Sequence, residues 1–381
     1  QTRRVLLAKA LIHQTDLSMA QVALASGFGS VRRFNETFQQ LFGRPPGELR
    51  RSRQAETPAA DGIVVRRRHN VGMVKLARLG IDPAQAFALT ILPELRRQRY
   101  DVVHAMVPSA ALAAWLARTP SVFTFIGHPT RPQFAGRRRD LELHRLASRL
   151  ATVTTALSRA SAASVGELFG RLPQVVPPGV RVAQFGGMRR PTHGPPRLLF
   201  SAAPSDRRKG LDLLLLALDQ VLDSCPEARL AVSGQGEPDW AIARLGDRAQ
   251  RVVEAVDLLG PGAPEEVPAR YRDATLTVLP AVDEAFGLSL VESLAAGTPV
   301  VCTRDGGMTD IVDAPQVGRT FAVGDAADLT AALLGVIDLA QDPATAAACA
   351  LHARRWDWEE SVGPLHEALY EAAIVGRRAG A

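Results

Sequence analysis

Cysteine is scarce in this chain, which limits the sites that it can build. Its 381 residues include only three cysteines, Cys225, Cys302 and Cys349. Their wide spacing excludes a disulfide framework and a cysteine-based metal site. Unpaired thiols fit a reducing compartment, so we predict a cytoplasmic protein.

Long apolar runs are also missing from the sequence. The most leucine-rich segment, residues 211–222, is interrupted by Asp212 and Asp219, which excludes a membrane span there. No secretory signal peptide is visible. The sequence begins at Gln1 without a methionine, which is consistent with a fragment.

The chain is long enough for two or three domains. Its positive charge is concentrated near the first residues. The net charge is +6, and residues 1–56 contribute nine basic against four acidic side chains, a balance of +5. This basic head on a nearly neutral body favours a nucleic-acid-binding origin for the head.

The head has the pattern of a helix-turn-helix, with Gly27-Phe28-Gly29 as the turn. Predicted helices cover residues 1–14, 19–26, 30–42 and 45–51. The stretch from Met19 to Asn35, with Phe42-Gly-Arg-Pro-Pro-Gly47, resembles the second helix-turn-helix of AraC-type regulators, in particular the Ada-type alkylation-response proteins. About half of that family's DNA-binding domain is covered.

The AraC-type resemblance implies DNA contacts near the start of the third helix. The residues concerned are Ser30, Arg32, Arg33 and Asn35. The alternative is a small helical appendage whose arginines are solvated. Both interpretations stay open at the level of sequence.

Two glutamates eight positions apart, Glu284 and Glu292, dominate the second half of the chain. They lie within a predicted βαβ unit, with buried strands at 274–279 and 299–302 and a helix that begins after Gly287. Ligands of parallel sheets bind beyond the carboxyl ends of the strands, so we expect both glutamates beside a ligand crevice.

This spacing resembles the Glu-x7-Glu signature of the family 4 retaining glycosyltransferases of the GT-B fold. The resemblance runs from about Tyr100 to about Tyr370 and is strongest over residues 198–323. It implies that Glu284 lies beside the donor sugar and that Glu292 binds the nucleotide ribose. The alternative is a helix-capping Glu284 and a solvated Glu292.

Other segments extend the same resemblance. Lys209-Gly210 matches a Lys-Gly step, which implies that Lys209, with Arg208, holds the leaving diphosphate; the alternative is two surface bases that cap a turn. His128, at the end of a predicted strand, matches a histidine beside the reaction centre, although Pro129 follows it here. The implied donor contacts also include the amides of Phe286, Gly287 and Leu288.

The first α/β domain lacks the opening strand and Gly-rich loop of the family, and the helix-turn-helix stands in their place. The loss of a central strand would leave its neighbours without ladder partners. We therefore expect residues 198–323 to exchange amide hydrogens more slowly than Val102, Val103, Val122 and Phe123. His104 is a second strand-end histidine of this domain.

The predicted fold is α/β of the GT-B type, with two Rossmann-like domains facing a cleft and a short all-α segment before them. The predicted segments are a partial helix-turn-helix at 1–53, a linker at 54–62, an N-terminal Rossmann-like acceptor domain at 63–190 and a C-terminal Rossmann-like nucleotide-sugar domain at 191–381. The run Arg66-Arg67-Arg68 is open to two interpretations, a solvated edge or a contact with an anionic acceptor or a membrane surface.

The implied activity is transfer of a hexose from a nucleotide-sugar to a hydroxyl acceptor with retention. His128, Glu284 and Lys209 are the predicted catalytic residues. No metal or cofactor is predicted, because the nucleotide-sugar is a substrate and no Asp-x-Asp motif occurs. Two alternatives stay open: an AraC-type DNA-binding regulator with a sugar-nucleotide-binding domain, and a degenerate fusion with neither activity.

Overall fold

The computed structural model describes residues 5, 7, 8, 11, 12, 18–42, 46, 83–186 and 194–379. The chain divides into two compact units, Gln1–Gln98 and Arg99–Ala381. Three sequence features lie outside the described residues: the predicted linker at 54–62, the short strand that Ile63-Val64-Val65 indicates, and the arginine run at 66–68. None of the helices in the described ranges combines the length and apolar character needed to span a membrane.

The first unit is helical where it is described. Its helices are α1 (Met19–Ala25), α2 (Val31–Phe42) and α3 (Pro83–Arg97). Ser18 caps α1 through a capping box with Gln21, whose backbone N–H lies 3.3 Å from Ser18 Oγ. The small core is built around three phenylalanines and five aliphatic residues: Val5, Ala8, Ile12, Val22, Ala23, Phe28, Phe34 and Phe38.

The second unit begins with a first lobe, residues 99–186, built on a parallel sheet in the order β1-β2-β3-β4. Its strands are β1 (Val103–Ala105), β2 (Ser121–Phe125), β3 (Val153–Ala156) and β4 (Gln174–Val175). Its helices are α4 (Pro108–Leu116), α5 (Arg138–Leu150) and α6 (Arg159–Phe169).

Two strand predictions for the first lobe need correction. The run Tyr100-Asp-Val-Val-His-Ala105 predicts a strand over its whole length, but β1 begins only at Val103, because Tyr100 and Asp101 are exposed before the ladder starts. The run Leu150-Ala-Thr-Val-Thr-Thr155 predicts another strand, but β3 begins at Val153. Leu150 instead closes α5, a charged helix that the sequence interpretation missed.

The second lobe, residues 194–353, contains a six-stranded parallel sheet in the order β10-β9-β8-β5-β6-β7. Its strands are β5 (Arg197–Ser201), β6 (Arg229–Ser233), β7 (Val256–Leu258), β8 (Leu276–Leu279), β9 (Val300–Thr303) and β10 (Gly318–Phe321). Its helices are α7 (Leu211–Ser224), α8 (Asp239–Ile242), α9 (Ala249–Glu254), α10 (Val267–Asp273), α11 (Leu288–Ala295), α12 (Ala326–Leu339) and α13 (Pro343–Ala353).

Both faces of this second sheet are covered by helices. Leu198 and Phe200 of β5 pack in a cluster with the buried leucines of α7 and α12, whereas Leu199 packs with α11 on the opposite face. This alternation follows from the two-residue period of a strand. Each fully buried leucine or phenylalanine stabilises the lobe by about 1.5–3 kcal/mol.

The chain then returns to the first lobe. After a π-helical turn (Trp358–Val362), helix α14 (Gly363–Ala379) packs Leu369 and Ala373 against Val122 of β2. The segment Trp356-Asp-Trp358 predicts the start of a final helix, which the family resemblance implies crosses back over the first domain, and the packing of α14 agrees with this. Both tryptophans are predicted to be core residues; Trp356 is buried, but Trp358 is 41% exposed.

Candidate active site

The loop after β8 carries Glu284 and is held in place by two glycines. A Cβ atom at Gly306 would lie 2.3 Å from the carbonyl oxygen of Glu284, and one at Gly307 would lie 2.2 Å from that of Ala285. The Gly307 N–H also donates to the Glu284 carbonyl at 2.9 Å. Only glycine allows this close approach, so the Gly-Gly turn fixes the backbone of Glu284.

Lys209 meets Glu284 across two neighbouring loops at the carboxyl end of the second sheet. Lys209 Nζ lies 2.5 Å from Glu284 Oε2, with side-chain exposures of 23% and 20%. The loops can touch because Gly210 has φ +70° and a Cβ there would lie 2.1 Å from the Pro280 carbonyl oxygen. The structure thus brings together two predicted catalytic residues that are 75 positions apart.

Arg208 has a different partner from Lys209. Its Nη2 atom lies 2.7 Å from Asp206 Oδ2, and its backbone N–H donates to Asp206 Oδ1 at 3.0 Å. Burial alone would raise the pKa of Asp206, but the hydrogen bonds from Arg208 outweigh it and lower that pKa. The predicted pair of phosphate-binding cations is therefore split between two carboxylates.

Glu292 lies on α11 and is half-buried. Its Oε2 atom accepts a hydrogen bond from the Tyr271 hydroxyl at 2.7 Å, and that hydroxyl lies 3.0 Å from Ser201 Oγ. Burial raises the pKa of Glu292, and the hydrogen bond from Tyr271 opposes this shift. The alternative of a solvated glutamate is wrong.

Phe286, Gly287 and Leu288 lie between the two glutamates and differ in exposure. The Phe286 ring is 3% exposed and packs edge-on against Trp356, with centroids 6.3 Å apart, so it belongs to the core. Gly287 has φ +101° at the start of α11, and the Leu288 side chain is 40% exposed. Any donor contact at Phe286 is therefore limited to its backbone.

His128 connects the first lobe to the Glu284 loop through one serine. Its Nδ1 atom lies 3.2 Å from Ser161 Oγ, and Ser161 Oγ donates to the Ala285 carbonyl at 3.3 Å. Nearby, the Arg159 guanidinium and backbone N–H both bind the Asp310 carboxylate at 2.8 Å. These contacts bring the start of α6 next to the loop that carries Glu284.

A cavity of about 200 Å³ lies beside His128 at the end of β2. Its walls are mainly apolar and aromatic, with Arg208 at the second-lobe side. The lining residues are Met106, Pro108, Phe123, Thr124, Phe125, Ile126, Gly127, His128, Pro129, Gln133, Phe134, His144 and Arg208. The cavity can take a molecule of modest size next to His128.

His104, the second strand-end histidine, has a structural role. Its Nε2 atom lies 2.6 Å from Thr124 Oγ1, and its Nδ1 atom lies 2.8 Å from the hydroxyl of Tyr370 on α14. Thr124 Oγ1 lies 2.6 Å from Thr155 Oγ1 on the next strand. Both ring nitrogens are therefore occupied by a polar ladder across β1, β2 and β3.

The predicted DNA contacts lie around the start of α2 and are exposed. Ser30 Oγ accepts a hydrogen bond from the Arg33 N–H at 3.2 Å, so its hydroxyl caps the helix. Arg32 is 90% exposed and binds Glu36 at 2.9 Å. Arg33 and Asn35 are also exposed. The acidic Glu36 reduces the positive charge that this face offers to a phosphate.

Sequence reasoning missed Tyr271, Ser161 and Asp310. Tyr271 falls inside residues 267–272, which resemble the family segment beside the nucleobase, but no periodicity distinguishes it from its neighbours. Ser161 contacts Ala285, and Asp310 contacts Arg159, over more than 100 positions. No local signal could have revealed those pairings.

Models of known families match three segments of the chain. The "Helix-turn-helix domain" matches residues 1–52, the "Glycosyltransferase Family 4" model residues 42–184 and the "Glycosyl transferases group 1" model residues 195–338. A glycogen synthase from Mycobacterium tuberculosis is 33% identical, over 74% of this chain and 71% of its own length. The chain belongs to the family 4 glycosyltransferases.

Other relatives of this glycosyltransferase differ in the length that they share with it. A phosphatidyl-myo-inositol mannosyltransferase from Propionibacterium freudenreichii is 29% identical over 86% of this chain and 85% of its own. A D-inositol 3-phosphate glycosyltransferase from Corynebacterium jeikeium is 33% identical over 54% of this chain and 53% of its own. The chain thus spans about half the length of that second relative.

Solved structures confirm that the glycosyltransferase has the predicted GT-B fold, with two Rossmann-like domains. Sucrose-phosphate synthase from Thermosynechococcus elongatus superposes with a TM-score of 0.64, at 20% identity, over 76% of this chain and 79% of its own. Anabaena HepE in complex with UDP and glucose has a TM-score of 0.61, at 20% identity, over 74% and 81%.

Proposed function

We propose that this glycosyltransferase moves a sugar from a nucleotide-sugar to a hydroxyl acceptor and retains the anomeric configuration. The observation that carries the proposal is the 2.5 Å contact between Lys209 and Glu284 at the carboxyl end of the second sheet. Negative charge grows on the diphosphate as it leaves, and a cation beside the donor sugar stabilises that charge.

Each charged group has one role in the proposed reaction. Glu292 binds the ribose, Glu284 orients the donor sugar and Lys209 holds the diphosphate. The ammonium of Lys209 has three N–H donors, so it can bind a phosphate oxygen and keep its contact with Glu284. Arg208 joins it only after its pair with Asp206 opens.

The proposed bond changes occur on one face of the sugar. The bond from C1 to the diphosphate oxygen breaks, and the acceptor oxygen bonds to C1 from the same side. The acceptor proton passes to the departing phosphate oxygen, so no protein base is required. The aromatic cavity beside His128 would hold the acceptor, and close positioning supplies the rest of the rate increase.

No resident cofactor takes part in this proposal, because the nucleotide-sugar is consumed as a substrate. A cytoplasmic location is proposed with it, since such donors and reduced thiols occur together there. Cys302 and Cys349 are buried, and burial raises the pKa of Cys302 to about 12, so that thiol is unreactive.

UDP-glucose is the first probe, because HepE has been solved in complex with UDP-glucose. Binding to the folded state should raise the melting temperature with UDP and with UDP-glucose, and GDP and ADP serve as comparisons. Proton NMR of the product should show an α-linkage. A β-linked product would contradict retention, and no shift with any nucleotide would favour the regulator or the degenerate fusion.

The helix-turn-helix match favours a second, separate activity of the head, which we propose to be weak DNA binding. The exposed Arg32 and Arg33 can contact phosphates, but half of a two-motif domain offers few contacts and little base readout. A fluorescence titration with duplex DNA should show little sequence preference. Sub-micromolar binding at about 150 mM salt, with strong preference over scrambled DNA, would instead support a regulator.

A further inference from the structure

The hydroxyl of Tyr271 is buried next to the ribose-binding carboxylate of the proposed donor site. Tyr271 is 1% exposed, and its hydroxyl lies 2.7 Å from Glu292 Oε2 and 3.0 Å from Ser201 Oγ. A buried phenol needs a hydrogen-bond partner. Here the partners come from two different elements, β5 and α11.

The phenol has one proton for two neighbours. A carboxylate is the stronger acceptor, so we assign that proton to Glu292, and the Ser201 hydroxyl donates to the phenolic oxygen. Burial and the charge of Glu292 raise the pKa of Tyr271 well above its usual value. The phenol therefore stays neutral and remains a donor at all ordinary pH values.

Tyr271 is itself firmly anchored. Its backbone carbonyl accepts a hydrogen bond from Thr298 Oγ1 at 2.7 Å, and its ring packs at 6.0 Å from that of Phe185. Both rings belong to one apolar cluster under α11. A donor fixed in this way can hold the carboxylate in one orientation before any ligand arrives.

The two oxygens of Glu292 are used differently. Oε2 accepts from Tyr271, whereas within the described ranges no donor contacts Oε1. We propose that Tyr271 is a positioning residue that holds Oε2 so that Oε1 is presented to the ribose hydroxyls of the donor. This inference rests on the proposed donor site, in which Glu292 binds the ribose.

The test compares Tyr271→Phe with Tyr370→Phe, which removes a tyrosine hydroxyl from the contact with His104. Loss of the Tyr271 hydroxyl should raise the KM for UDP-glucose and the Kd for UDP about tenfold, with kcat changed less than about twofold. The control should lower the melting temperature but leave KM unchanged. A merely structural role of Tyr271 would reduce the active fraction, and hence kcat, without changing KM.

Combining each tyrosine substitution with Glu292→Ala distinguishes the role of Tyr271 from the assignment of Glu292 to the donor site. If Tyr271 acts through Glu292, Tyr271→Phe should have no further effect on the UDP Kd in that background. Additive losses would overturn the inference and leave the donor site intact. An unchanged UDP Kd for Glu292→Ala alone would overturn both the donor-site assignment and the inference.

A second pair of variants tests the same bond from the carboxylate side if Tyr271→Phe does not fold. Glu292→Gln keeps an oxygen within reach of Tyr271 but loses the charge. Glu292→Asp keeps the charge but withdraws the carboxylate by one methylene. The inference requires that Glu292→Asp binds UDP more weakly than Glu292→Gln does. Wild-type affinity for Glu292→Asp would contradict it.

Discussion

The two lobes of the second unit place their polar groups differently. In the second lobe, Lys209 and Glu284 lie on loops and Glu292 lies on helix α11, beside a sheet that is apolar on both faces. In the first lobe, the ladder of His104 and its threonine partners runs through the sheet itself and ends on Tyr370 of α14. The first sheet therefore depends on a helix from the end of the chain.

The same cause, burial, has opposite consequences for pH dependence in the two lobes. Burial lowers the pKa of His104, with a further contribution from His366, and burial also lowers that of His144. Burial raises the pKa of Glu292. In each case the charged form is disfavoured, but histidine is charged at low pH and glutamate at high pH.

The largest expected effect tests whether the second lobe carries the catalytic residues. Lys209→Ala should lower kcat by about 10²–10³-fold, because it removes a cation that meets charge developing in the transition state. Arg229→Ala is the control. It breaks an ion pair with Asp257, also at 2.5 Å, away from the proposed donor-binding loops. Equal losses in both variants, measured by steady-state kinetics, would contradict the site.

The next effect concerns nucleotide affinity. Glu292→Ala should weaken UDP binding by about 1–3 kcal/mol, the range for a lost hydrogen bond to a charged group. The change should fall mainly on KM, and less on kcat than for Lys209→Ala. Isothermal titration would measure it, with the exposed Glu254→Ala as control. A kcat loss larger than that of Lys209→Ala would reverse the assigned roles.

A third prediction concerns the dependence of the first sheet on its ladder. His104→Ala leaves Thr124 and Tyr370 without their shared partner, so the first lobe should lose about 1–3 kcal/mol of local stability. Hydrogen exchange should accelerate at Val122 and Phe123 and stay slow over residues 198–323. His352→Ala, which breaks a contact with the Ile311 carbonyl, should loosen the second lobe instead.

In the wild-type protein the same measurement tests the expectation that the first α/β domain lacks the opening strand of its family. The predicted difference is faster exchange in the first lobe than in the second. Equal protection in both lobes, together with efficient transfer, would mean that the first sheet is completed by another segment.

The smallest expected effect is the pH dependence. The lowered pKa of His104 means that the unfolded chain binds more protons, so stability of the first lobe is lost as pH falls below about 6.5, the ordinary pKa. The pKa of Glu292 is raised, so the folded chain binds more protons at this group and acid does not destabilise the second lobe through it. Protection factors, which correct for the intrinsic pH dependence of amide exchange, should fall first at β1 and β2 between pH 8 and 5, and less so in His104→Gln. A uniform fall in protection would remove the contrast between the lobes.

Much of the second lobe could be predicted because its signals are local. The run Arg197-Leu-Leu-Phe-Ser201 predicts a strand with the observed bounds of β5, and α11 begins after Gly287 as expected. Apolar runs and glycines determine such elements within a few residues of themselves. The charged helix α5 was missed because its apolar positions are few, and for the same reason the strand predicted at 150–155 began three residues before the observed β3.

The sequence by itself determined the alternation of strands and helices, the family resemblance and the spacing of Glu284 and Glu292. Only the tertiary structure decided which distant partner Lys209 and Glu292 take, namely Glu284 and Tyr271. It also assigned His104 to a structural ladder and the Phe286 ring to the core. Local elements follow from nearby residues, whereas these pairings depend on how the folded chain brings distant segments within hydrogen-bond distance.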